Sequence, residues 1–217
     1  MKKIFLSLLG TGLAMFIMLI SKDAQADDLF NTTIINDVVT ASLRSPRNTQ
    51  IISKNYPLLK IQKDYSGNFD KMDYQEGYAL PSGIVIHETA NSNSTIQNEI
   101  AYMKRNWQNA FVHAFVDHNN IIEIHPTEYY SWGAGRQANP KFVQVELVRV
   151  SSANFDRSVF NDAYYAAYML KKYNLTPDNA HSDGKGTIWS HDAVTRFLGG
   201  TDHTDPVGYF SANNYSM

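Results

Sequence analysis

The chain has 217 residues, 43% hydrophobic and 18% charged, which suits one sizeable domain rather than several. Its 13 Tyr, 11 Phe and 3 Trp argue against long disordered stretches, and a formal net charge of −2 gives none of the basic excess that drives nucleic-acid binding. Cysteine is absent, which excludes disulfides, a cysteine nucleophile, iron–sulfur clusters and thiolate zinc sites, so any metal must be held by His, Asp or Glu.

Residues 1–26 read as an export signal. Lys2 and Lys3 form a positive start, Ile4 to Ile20 is an apolar run, and Ala24-Gln25-Ala26 is a small-x-small cleavage site ahead of Asp27 and Asp28. The rival reading, a retained membrane anchor, needs a span at the short limit of what crosses a bilayer. Cleavage removes Lys2, Lys3, Lys22 and Asp23 and takes the net charge from −2 to −4, leaving a mildly acidic exported chain without a stable membrane anchor.

Residues 27–80 are polar and irregular and read as an N-terminal arm wrapped on the domain, with a short helix near Asn36–Leu43 and breaks at Pro46, Pro57 and Gly67. The catalytic domain is expected over 81–217. Gly83 to Thr89 is a β-branched strand. Ser94 with Gln97 resembles a capping box, and Ile96, Ile100, Met103 and Trp107 recur at helical spacing, predicting a helix over 95–107. Phe111–Asp117 and Ile121–His125 read as a hairpin around His118–Asn120, and Phe142–Val148 as another strand. The spacing of Phe155, Val159, Tyr164, Ala167 and Leu170 predicts the longest helix over 155–173. Ser190 caps a short helix to Leu198, stopped by Gly199-Gly200. Strands interleaved with helices predict a single α/β domain, with a central mixed sheet flanked by helices.

Four residues stand out by position: His87 at the end of an apolar strand, His191 directly after the Ser190 cap, Asp205 in the loop Thr201–Pro206, and Glu146 within an apolar strand. Each also has an ordinary reading. A strand-end His is usually a hydrogen-bonded structural residue. His191 at a helix N-terminus is kept neutral by the helix dipole, which suits a ligand and a plain surface His equally. Asp before Pro is a turn former, and Glu146 can face solvent. Asp183–Gly186 reads as a turn, and no HExxH, GxSxG or phosphate-binding loop is present.

Six segments in order change the weighing: Gly83–Asn91 with His87, Gln108–Asp117 with His113, Ser131–Gly135 with Trp132, Val143–Val148 with Glu146, Thr187–His191, and Gly199–Tyr209 with His203 and Asp205. Together they resemble the zinc-dependent N-acetylmuramoyl-L-alanine amidases, the type-2 amidases related to phage lysozymes and peptidoglycan recognition proteins, and within them the amidase domains of staphylococcal autolysins. The resemblance covers about residues 80–215. It implies His87, His191 and Asp205 as ligands of one zinc ion, Glu146 as the catalytic acid/base, His203 as a stabiliser of the oxyanion, and His113 and Trp132 as residues lining the substrate groove. Three such ligands leave a fourth tetrahedral position open, as catalytic zinc requires.

The implied reaction is hydrolysis of the amide between N-acetylmuramic acid and the first L-alanine of the stem peptide, by a monomer secreted to the bacterial cell wall, with peptidoglycan or muropeptides as partners and no nucleic acid. The alternative is a non-catalytic peptidoglycan-binding module of the same fold. A third reading is an inactive, poorly folding product, because relatives continue past the position of Met217 into a further helix. A glycosidase would leave the His/His/Asp set without a role.

Overall fold

The computed structural model describes residues 45–77 and 80–217. The expected signal segment and the expected helix near residues 36–43 lie outside these. Among the described residues, no helix is long and apolar enough to cross a membrane.

Six strands form one sheet: β1 (Ile61–Lys63), β2 (Gly83–Glu88), β3 (Ala114–Val116), β4 (Ile121–Glu123), β5 (Phe142–Leu147) and β6 (Ile188–Ser190). Their order is β1-β4-β3-β5-β2-β6. The β3–β4 hairpin is antiparallel and every other pairing is parallel, which makes the sheet mixed. The hairpin turn is held by Asp117, whose Oδ1 accepts from the backbone N–H groups of Asn119 and Asn120, both at 2.7 Å.

The central strands β2 and β5 carry near-continuous apolar runs because both faces are covered. Five helices are described: α1 (Pro46–Ser53), α2 (Ile96–Asn106), α3 (Ser152–Lys172), α4 (His191–Phe197) and α5 (Val207–Ala212). One face of the sheet, with Ile84, Ile86, Val143, Val145 and Leu147, packs on α3 through Phe155, Val159, Ala163 and Leu170. Ile51 of α1 and Phe210, Tyr215 and Met217 at the chain's end join the same core. The other face divides in two. Phe115 and Ile122 pack with Ile96 and Ile100 of α2, while Val85, Phe142 and Trp189 pack with Ala193 and Val194 of α4. Each fully buried aliphatic or aromatic side chain contributes about 1.5–3 kcal/mol, so these layers hold the strand ends in place.

Four local expectations are corrected. Pro46 starts helix α1 rather than breaking the chain: it sits at the first helical position, where a missing N–H costs nothing, behind a Ser45 cap. The arm is therefore less irregular than expected, and it supplies the edge strand β1, paired in parallel with β4. Helix α2 is capped by Thr95, not Ser94, with Oγ1 accepting from the Asn98 N–H at 3.3 Å. Helix α3 begins at Ser152 with a polar first turn that an apolar pattern starting at Phe155 could not reveal. Its buried face runs through Phe160, Ala163, Tyr165, Ala166 and Met169, whereas Tyr164 and Ala167 are only half-buried.

Candidate metal centre

The site is built at the C-terminal ends of three adjacent parallel strands. His87 on β2 is in register with Glu146 on β5, and Ile86 is in register with Ser190 on β6. One residue beyond Ser190 the chain turns into α4, so Glu146, His87 and His191 stand side by side across the sheet. The turn is fixed by Ser190, whose Oγ accepts from the Ala193 N–H at 2.9 Å and bonds His181 Nδ1 at 2.7 Å. Asp205 is brought in by the loop after α4, where its backbone carbonyl accepts from the Asp192 N–H at 3.0 Å.

His87, His191 and Asp205 converge. The two Nδ1 atoms are 2.9 Å apart. Asp205 Oδ1 lies 3.1 Å from His191 Nδ1, and Oδ2 lies 3.3 Å from His87 Nδ1. The Glu88 backbone N–H donates to the same Oδ2 at 3.3 Å and orients the carboxylate. Both histidines are 2% exposed. Burial, then the neighbouring His191, pushes His87 down to about 4, so its imidazole is neutral at ordinary pH. Burial alone would raise the Asp205 carboxyl, but the adjoining His191 and His87 rings outweigh it and hold the group well below the usual carboxylate range.

This donor set fits a small divalent cation. Tetrahedral zinc bonds of about 2.0–2.2 Å separate neighbouring ligand atoms by about 3.3–3.6 Å, so the three atoms need to open by only a few tenths of an ångström from the 2.9, 3.1 and 3.3 Å found here. The neutral His87 imidazole and the ionised Asp205 carboxylate also have the protonation that metal binding needs. No other group of three or more His, Asp or Glu side chains converges in this way among the described residues.

Glu146 lies beside this cluster. Burial first, then the Asp205 charge, raises its carboxyl well above the ordinary value, and its Oε2 is buried without a hydrogen-bond partner. The Nε2 of its register partner His87 is likewise buried and unpartnered. Orphaned polar atoms are uncommon in folded proteins, and beside a converging donor set a bound ligand is one way to satisfy them. His203 lies at the rim, with a side chain 65% exposed and Nδ1 3.6 Å from Asp205 Oδ1. Its ring stacks on His191 at 4.6 Å between centroids.

The two remaining expected site residues, His113 and Trp132, are not part of the converging group. His113 does not line a groove: it is fully buried. Its Nε2 contacts the Tyr129 carbonyl at 2.8 Å and the Tyr74 hydroxyl at 3.1 Å. Its Nδ1 accepts from the Gln144 backbone N–H at 2.9 Å and meets Ser131 Oγ at 3.1 Å. Burial lowers it to about 3, so it is a neutral tie between β3, β5 and the Tyr129–Ser131 segment. Trp132 is half-buried, packed edge-on against Phe111 at 4.8 Å, with its Nε1–H donating to the Trp107 carbonyl at 3.0 Å.

Sequence reasoning passed over two supports. Glu88, next to His87, is buried and clamped by Arg149 at 2.5 and 2.6 Å. Thr201 places Oγ1 3.0 Å from His191 Nε2. The only signal for either was its nearness in the chain to a proposed ligand.

The family model described as N-acetylmuramoyl-L-alanine amidase matches residues 77–208. The chain is 59% identical over 171 residues to Protein Ami of Listeria monocytogenes, covering 78% of this chain and 19% of that protein. It is 52% identical over 178 residues to the bifunctional autolysin of Staphylococcus epidermidis, covering 82% of this chain and 13% of the autolysin. The chain thus spans less than a fifth of the length of either relative. The crystal structure of Staphylococcus aureus hydrolase AmiA in complex with its ligand superposes with a TM-score of 0.78 at 51% identity, covering 82% of this chain and 87% of that one.

Proposed function

Because this chain belongs to the N-acetylmuramoyl-L-alanine amidase family, we propose that it is an exported, zinc-dependent peptidoglycan hydrolase cleaving the amide between N-acetylmuramic acid and the L-alanine of the stem peptide. The observation that carries this reading is the convergence of His87 Nδ1, His191 Nδ1 and the Asp205 carboxylate beside Glu146. In this reading the first three residues hold the zinc, and Glu146 and His203 act on the substrate.

Zinc bound there would supply Lewis acidity and a water of lowered pKa, near 7 rather than that of bulk water. Glu146 is the proton carrier. A carboxyl raised by burial is a better base once it is ionised, and it holds the proton taken from water until the leaving amine, a stronger base, accepts it. His203, exposed at the rim and in contact with Asp205, is positioned to donate to the oxygen that becomes negative as the amide carbon turns tetrahedral. Trp132 offers the edge of a packed aromatic cluster to the substrate, and His113 supports the sheet beneath.

The N-terminal charge and apolar pattern supports export, and with it action at the bacterial cell wall. The Glu146→Gln variant separates the enzyme from a binding module of the same fold. Lost cleavage of purified peptidoglycan with binding retained supports the amidase, whereas undiminished cleavage removes Glu146 from its role.

A further inference from the structure

We propose that Thr201 is a positioning residue of the metal centre: its hydroxyl fixes the ring of His191 and, through the same oxygen, the backbone of His203. The inference rests on the metal-binding reading above and adds to it the residue that aims one ligand.

The two ring nitrogens of His191 face different partners. Its Nδ1 faces His87 Nδ1 and Asp205 Oδ1, so Nδ1 must present a lone pair to a cation and the proton must sit on Nε2. Thr201 Oγ1, at 3.0 Å, is the acceptor for that proton. The His203 backbone N–H also donates to Thr201 Oγ1, at 3.4 Å. A hydroxyl oxygen has two acceptor positions, and these two donors occupy both. One atom therefore ties a ligand ring to the residue at the rim.

His87 Nε2 has no hydrogen-bond partner and relies on packing within a buried strand. His191 lies at the first position of a short helix, where less backbone fixes the ring, and it has Thr201 instead.

The loop that carries Thr201 enters through two glycines in the left-handed region, where an L side chain is strained. Gly199 and Gly200 have φ of +73° and +82°. From the opposite side Gly135, with φ of +81°, lies so close that a Cβ there would stand 2.5 Å from the Gly200 carbonyl oxygen and 3.0 Å from Thr201 Cβ. The Ser131–Gly135 segment thus buttresses Thr201, which gives that glycine-rich stretch a role that substrate contact does not require.

The test measures zinc affinity by competition with a chromophoric chelator, for the wild-type chain, Thr201→Val and Thr201→Ser, with thermal unfolding of the zinc-free forms alongside. Thr201→Val keeps shape and loses the acceptor, and it should weaken zinc binding about 10- to 100-fold with zinc-free Tm unchanged. Thr201→Ser should restore near wild-type affinity. Wild-type affinity in Thr201→Val, or equal loss in Thr201→Ser, overturns the inference while leaving the metal site intact. A wild-type chain that binds no zinc overturns the metal site itself, and this inference with it. If Thr201→Val does not fold, NMR of the zinc-loaded wild-type chain decides. A hydrogen-bonded His191 Nε2 proton supports the role, and a freely exchanging one contradicts it.

Discussion

His87 and Glu146 are register partners on neighbouring parallel strands, so their side chains leave the same face of the sheet about one strand spacing apart. Neighbouring strands of a sheet stand about 4.8 Å apart, which sets a proposed metal ligand and a proposed proton carrier at a distance determined by backbone hydrogen bonds rather than by a loop. The arrangement is rigid because β2 is buried along its whole length.

Glu146→Gln preserves the shape of that pair and removes its proton chemistry. Cleavage should fall about 10²- to 10⁴-fold with zinc affinity unchanged. Because burial and Asp205 oppose ionisation of the carboxyl, the neutral amide should not lower the Tm. Steady-state release of stem peptide, together with zinc titration, checks both halves.

Zinc should stabilise the wild-type fold. At a free zinc concentration about 100 times the Kd, the gain is about 2.7 kcal/mol, read as a rise in Tm. His87→Ala and Asp205→Asn should each abolish the rise. A rise that survives both substitutions would place the zinc elsewhere.

Two buried histidines predict acid sensitivity. Burial lowers His113 to about 3 and His125 to about 4, both below the ordinary 6.5. The unfolded chain then binds more protons than the folded one between these values and 6.5. Their stabilisation is full above pH 6.5 and is lost as pH falls toward 4 and 3. His125→Leu should flatten the acid side of the stability curve by up to about 1.4 kcal/mol per pH unit between pH 6.5 and 4. Urea unfolding at a series of pH values measures it, and parallel curves for variant and wild type would refute it.

Asp162 works in the opposite direction. It is fully buried in α3, neither carboxylate oxygen has a hydrogen-bond partner, and burial raises it to about 8. The folded chain keeps a proton that the unfolded chain releases above the ordinary carboxyl value. Stability from this group is therefore full below about pH 4 and declines as pH rises toward 8. Asp162→Asn should be more stable than wild type at pH 8, by on the order of a few kcal/mol, with the difference closing near pH 4. An advantage that is constant with pH would mean that Asp162 does not titrate in this way.

Much of this was legible in the chain. The β-branched run to His87, the Ser190 cap before His191 and the apolar frame around Glu146 each predict an element that the structure contains. Order along the chain could not show that β2 lies between β5 and β6, which is what brings Glu146, His87 and His191 together. His113 shows the limit of motif reasoning. It occupies a segment expected to line the groove, but it alternates into the interior, where Gln144 and Tyr129 satisfy it. Helix α1 was hidden because Pro46 reads as a breaker unless the Ser45 cap before it is recognised. Helix α5, six residues long and containing a glycine, is stabilised by the burial of Tyr209 and Phe210 rather than by a pattern of its own.

The central claim is tested most directly by mass spectrometry of purified peptidoglycan digested with the chain from residue 27 onward, with zinc and with a chelator. Zinc-dependent release of free stem peptides carrying an N-terminal L-alanine is the predicted result. Intact muropeptides under both conditions, from a protein shown to be folded, would contradict it.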